Sequence, residues 1–97
     1  MIREAHILII DDEKTQAEAL AESLTKIGYN CTTVLSGSEG LKIIRKDVID
    51  IVITDLILHD LDGMVILKET KKISPETEVI LVTGYGSVEN AVTAMQK

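Results

Sequence analysis

The sequence predicts an α/β sandwich, a parallel sheet with helices on both faces, from three observations: short unbroken apolar runs, helical stripes between them, and strict alternation of the two. The first run, Ile7 to Ile10, is too short for a helix and has no polar position, as expected of a strand buried on both faces. Ala17, Leu20, Leu24 and Ile27 then share one helical stripe, and Gly28 is placed to end it. Cys31 to Leu35 alternates more, which predicts an edge strand. After turn signals at Ser36 and Gly37, Leu41, Ile44 and Val48 mark a second helix. Ile51 to Ile53 is a third strand, and Met64, Leu67 and Ile73 mark a third helix that stops before Pro75. Val79 to Val82 is a fourth strand; Val88, Ala91, Val92 and Met95 define a fourth helix with Ser87 as its N-cap. Strands joined through helices pair in parallel by right-handed crossovers, which puts helices on both faces.

Composition narrows the function. With 97 residues, 45% of them hydrophobic, the chain is sized for one domain. Its 16 acidic and 10 basic residues give a formal charge of -6, which repels a phosphate backbone, so this segment is not expected to bind nucleic acid. Phe and Trp are absent and only Tyr29 and Tyr85 are aromatic, so no stacking platform exists. No apolar run approaches a bilayer span and the start lacks a signal-peptide core, so a cytoplasmic location is expected. Cys31 is the only cysteine and reads as a small core hydrophobe.

The polar residues that end the apolar runs are Asp11, Asp12 and Glu13 after the first strand, Asp55 after the third and Thr83 after the fourth. In open parallel sheets, ligands bind beyond the carboxyl ends of the strands, and these residues share that rim. Neighbouring strands lie about 4.8 Å apart, so carboxylates from the first and third can share one cation. Unscreened, they would repel one another and raise at least one pKa; Mg²⁺, a hard ion that prefers oxygen, offsets that cost. A carboxylate beside such an ion can act as a nucleophile towards a phosphoryl group, and Asp55, single and at a strand end, is the candidate.

Here the residues resemble a known family, the response-regulator receiver domains, along the whole chain. Ile7-Leu-Ile-Ile-Asp-Asp-Glu13 looks like the family's first strand and acidic pair, Asp55-Leu-Ile-Leu-His-Asp-Leu-Asp-Gly63 like its phosphoacceptor loop, and Val82-Thr-Gly84 like its switch-threonine segment. Thr83 through Met95 further resembles receivers of the NtrC type. The resemblance implies a CheY-like (flavodoxin-like) three-layer sandwich with strand order 2-1-3-4-5, here 2-1-3-4. It implies Mg²⁺ held by Asp12 directly, by Asp11 mainly through water, by Asp55 and by the Ile57 backbone carbonyl. Asp55 would accept a phosphoryl group from a histidine kinase, Thr83 would hydrogen-bond the new oxygen, and the conformational change would control an output domain or downstream protein, with transcription as the expected output.

The family's fifth strand, its terminal lysine and its fifth helix are not in the sequence, so residues 1–97 are expected to be a receiver incomplete at its C-terminus. Lys97 comes too early to replace that lysine, and Lys14 reads as a solvated side chain at a helix start. An uncovered fourth strand would be an apolar edge, which predicts association, through that strand or the fourth helix, or marginal stability. His59 stands where the family usually has proline and reads as solvent-facing, since Mg²⁺ favours oxygen over imidazole. His6 has no assigned role. Two other readings stay open: a Mg²⁺-dependent phosphohydrolase with an aspartyl nucleophile, disfavoured because Ile57 stands where its general acid would be, and an interaction module that has lost phosphotransfer. A dinucleotide-binding domain lacks its Gly-rich turn.

Overall fold

Five apolar residues in six positions start the sheet, and the chain follows the expected alternation from there. The computed structural model describes residues 4–82. Within them run β1 (His6–Ile10), α1 (Lys14–Lys26), β2 (Asn30–Val34), α2 (Gly37–Lys46), β3 (Ile51–Asp55), α3 (Gly63–Ile73) and β4 (Glu78–Val82). The strands form one parallel sheet in the order β2-β1-β3-β4, with β2 at an edge as its weaker pattern predicts. Thr83, Tyr85, Lys97 and the fourth helix expected after Ser87 lie outside the described residues.

Period-two alternation sorts the strand side chains onto two faces. Leu8, Ile10, Val34, Val52, Val79 and Leu81 join Leu41, Ile44 and Ile66 in the larger core, under α2 and α3. Ile7 and Ile9 face the other way and pack with Ala17, Leu20 and Leu24 of α1, where half-buried Cys31 also sits. From Ile7 to Ile10 β1 is buried on both faces, which is why that run has no polar position.

Two helix ends and one helix face depart from the sequence reading. Ile27 is 71% exposed because α1 ends at Lys26. Gly28 follows at φ 107, a left-handed conformation that closes the turn, and Tyr29 rather than Ile27 packs against the α1 core. Val48 is equally exposed because α2 ends at Lys46, and Ile49 supplies the buried apolar group at that junction. In α3 the deepest positions are Gly63, Ile66 and Thr70, while Met64, Leu67 and Ile73 pack half-buried beside them. The helix does stop before Pro75, with Lys71 Nζ donating to the carbonyls of Pro75 and Thr77 just beyond it.

The loop between β3 and α3 is braced from several sides. Asp62 caps α3 by accepting the Met64 N–H at 2.7 Å. Asp60 caps a different helix: its two oxygens accept the N–H groups of Gly37 and Ser38 at 2.9 and 3.0 Å, and the Ser38 hydroxyl at 2.9 Å. Those amides, Ser38 first, hold the Asp60 carboxyl down at about 2. The lowered pKa fixes the sign: the bond stabilises the fold above the ordinary carboxylate range and is lost as pH falls towards 2. Asp60→Ala is therefore expected to cost about 1 kcal/mol at pH 7, as for other caps, since Asp60 is exposed and screened. Urea unfolding at pH 7 and at pH 3 checks this; the cost should shrink at the lower pH, and an equal cost at both would refute the ionised cap.

Candidate functional site

The parallel register brings the acids to one rim. Ile10 pairs with Thr54, so Asp11, just past β1, and Asp55, the last residue of β3, stand at the same level. Alternation puts both on the α1 face with Ile7, Ile9, Ile51 and Ile53. Asp11 still donates its N–H to Val34 of β2, and Leu56 donates to Val82 of β4, so the ladder clamps the backbone on either side of the acids. Val82 is opposite Asp55, and Thr83 is the next residue in the chain.

One oxygen each from Asp11, Asp12 and Asp55 lie within 4.8 Å of one another. Asp11 is buried and Asp12 and Asp55 are half-buried. Each carboxylate has a backbone donor. Asp11 Oδ1 accepts from Glu13 N–H at 2.9 Å and Asp55 Oδ1 from Ile57 N–H at 3.3 Å. Asp12 Oδ2 accepts from His59 N–H at 3.0 Å, across the gap between β1 and the β3–α3 loop. The Asp55 carboxyl is raised above its ordinary value, first because burial disfavours its charge and then because Asp11 and Asp12 repel it; the Ile57 N–H opposes the shift.

The donor set is made only of oxygens, carries three formal charges and is partly withdrawn from water. That chemistry fits a hard divalent cation such as Mg²⁺, which would relieve the repulsion. Ile57, whose carbonyl is the fourth expected ligand, has its side chain out in solvent while its backbone pairs with Asp62. The His59 imidazole is 93% exposed, as expected, yet its Nδ1 lies 3.4 Å from Asp12 Oδ2. Lys14 pairs with Glu18 on the surface of α1. His6 donates its N–H to Asp50 and shares a ring hydrogen bond with Thr32, a structural role between strands.

Sequence reasoning missed two residues here. Asp60, which ties the loop to α2, and the His59 N–H, which holds Asp12, act across long sequence separations with no local motif. Gly63 was legible only as part of a motif; its reason is spatial. A Cβ there would lie 2.6 Å from the Asp55 carbonyl oxygen and 2.8 Å from Leu56 Cα, so only glycine lets α3 start against the end of β3.

Known proteins resemble this chain in both sequence and fold. The family model described as the response regulator receiver domain matches residues 7–97. The transcriptional regulatory protein GlrR of Escherichia coli K12 is 39% identical over 93 residues, covering 96% of this chain and 21% of that protein. A response regulator receiver domain protein from Clostridium thermocellum superposes with a TM-score of 0.83 at 44% identity, over 95% of this chain and 75% of that one. A response regulator from Burkholderia pseudomallei, solved with a phosphorylated aspartic acid, calcium ion and citrate, gives 0.83 at 27% identity, over 96% of this chain and 55% of that one. The chain thus spans about a fifth of the length of GlrR and of the other first curated relatives it matches. Among the described residues no helix is long and apolar enough to cross a membrane.

Proposed function

This chain belongs to the response regulator receiver domain family, and on that premise we propose that it is a phosphorylation-dependent switch whose acceptor is Asp55. The observation that carries the reading is the set of Asp11, Asp12 and Asp55 oxygens within 4.8 Å at the carboxyl rim of a parallel sheet. Asp12, Asp11, Asp55 and the Ile57 carbonyl would hold Mg²⁺, which when bound screens the phosphoryl charge and orients its oxygens. A carboxylate oxygen of Asp55 attacks phosphorus; the O–P bond forms as the P–N bond to a kinase phosphohistidine breaks, and the departing imidazole takes up a proton. Thr83, next to the Asp55 partner Val82, would donate its hydroxyl to the new phosphoryl oxygen.

The relatives regulate transcription, so the output proposed for the whole protein is transcriptional control through a domain outside this segment. With a net charge of -6 the segment itself is suited to carrying the signal, and not to holding DNA. The switch turns over no separate metabolite: the position two residues after Asp55 is Ile57, which cannot protonate a leaving group as a phosphohydrolase requires.

Incubation with Mg²⁺ and a small acyl phosphate, read by intact mass, should give a single phosphoryl adduct that chelation abolishes. No adduct, although Mg²⁺ binds, would favour an interaction module over the switch. Binding has its own readout: at about ten times its dissociation constant, Mg²⁺ is expected to add about 1.4 kcal/mol of stability. Thermal unfolding should show the rise, and Asp12→Asn should erase most of it.

A further inference from the structure

The β3–α3 loop is closed on itself at its base and fastened to another element at its tip. Ile57 bridges to Asp62, and the Gly63 N–H donates to the Leu56 carbonyl, so residues 56–63 make a narrow hairpin standing on the end of β3. Its tip reaches α2. Asp60 accepts the Gly37 and Ser38 N–H groups at 2.9 and 3.0 Å and the Ser38 hydroxyl at 2.9 Å. Leu61 lies against the same turn, so close that a Cβ on Gly37 would come within 2.9 Å of its side chain. The helix also has a cap of its own, since Ser36 Oγ accepts the Glu39 N–H. Asp60 therefore does more than finish a helix: it joins the start of α2 to the loop that carries Ile57. Ile57 has little packing to hold it, with a side chain 67% exposed. Position 59 has histidine in place of the family's usual proline, so no ring fixes its φ. A hairpin loose at its tip pivots about its base, and the Ile57 carbonyl swings with it relative to the acids.

We propose that Asp60 is a positioning residue for the acidic site: its clasp on the first turn of α2 holds the β3–α3 loop, and with it the Ile57 carbonyl, in place beside Asp11, Asp12 and Asp55 for a divalent cation. This rests on the reading of those groups as a Mg²⁺ site. Coupling between two sites is reciprocal, so a cation at the acids must tighten the clasp by the factor by which the clasp tightens the cation. The start of α2 thereby senses whether the acids are occupied.

Calorimetric titration of Mg²⁺ at fixed pH compares the wild-type chain with three variants. Asp60→Ala should bind about fivefold or more weakly, the low end of typical coupling between sites. Asp60→Asn, which keeps an acceptor for the α2 amides, should stay within about twofold of wild type. Ser36→Ala, which weakens the start of α2 and leaves the clasp alone, should do the same. An Asn variant as weak as the Ala variant would trace the loss to the missing charge and overturn the proposal; an equal loss in Ser36→Ala would trace it to a frayed helix and do likewise. Amide exchange by NMR on the wild-type chain gives a second readout: saturating Mg²⁺ should slow Gly37 and Ser38 more than Ser74, whose N–H closes the other end of α3. Equal slowing at all three overturns the proposal even where Asp60→Ala does not fold. Absence of Mg²⁺ uptake by the wild-type chain overturns the metal reading together with it, whereas equal uptake by wild type and Asp60→Ala overturns the positioning role alone.

Discussion

Asp55→Asn is expected to abolish the phosphoryl adduct completely and, at the same time, to make the metal-free chain harder to unfold. Asparagine keeps the size of the side chain and can still accept the Ile57 N–H, so the loop geometry survives. What it loses is the anionic oxygen proposed to attack phosphorus, and an amide oxygen is no substitute. The stability gain has a separate cause. The raised pKa of Asp55 means that its charge is unwelcome in the folded chain, through burial and the proximity of Asp11 and Asp12. A carboxyl raised in the folded state gives its full stabilisation below the unfolded value and loses it as pH rises through the folded one. The wild-type chain without metal should therefore lose stability across that window, and Asp55→Asn should remove the slope and raise the neutral-pH midpoint by a few degrees. Intact mass and thermal scans in chelator between pH 3 and pH 7, an interval set to span the ordinary carboxylate value of about 3.9, test the two halves independently. An adduct on Asp55→Asn would move the acceptor elsewhere, and a lower midpoint would mean that the charge is compensated by groups beyond these three acids.

Gly63→Ala is expected to be the most damaging single-methyl change in the β3–α3 region. The added carbon would press on the Asp55 carbonyl oxygen and on Leu56 Cα, both backbone atoms in a ladder that cannot yield as a side chain would. Overpacking of this kind costs about 3 kcal/mol, and relief would come by pushing α3 away from the end of β3. The Gly63 N–H donates to the Leu56 carbonyl at 2.7 Å, so the same movement strains the turn that carries Asp55. Urea unfolding should show the loss, and Mg²⁺ affinity should fall in the fraction that folds. A variant with unchanged stability and affinity would show that α3 can shift freely, contrary to the packing.

The fold was legible wherever the evidence was local. Ile7 to Ile10 could be read as a doubly buried strand because four apolar neighbours in a row leave no solvent face, and the acids at the strand ends then followed from the parallel order. Helix ends were less legible. Ile27 and Val48 continue an apolar period past the last helical turn, and nothing in the period itself records that Gly28 or Asp47 has already turned the chain. The centre of α3 was misplaced for the opposite reason: Gly63 and Thr70 are deeply packed but not apolar, so a stripe drawn through hydrophobic residues passes beside them. The His59–Asp12 and Asp60–α2 bonds could not be read at all, because they depend on how close two crossovers come. The expected roles of Thr83 and the fourth helix fall outside the described residues.

The strand order also bears on how the protein is made. β1 is synthesised first and ends up inside, with β2 added to one side, β3 to the other, and β4 beyond β3. Every later strand joins an open edge, and none has to be wedged between two already paired. A chain emerging from the ribosome amino end first can thus grow its sheet outward as it appears, without undoing earlier pairing. The three acids are all present once Asp55 has emerged, before any of β4 has been translated, so their mutual repulsion arises in a nascent chain with β4 still to come. On the proposed Mg²⁺ reading, the cation would then act on the newborn protein as a folding ligand before the finished one meets a phosphodonor.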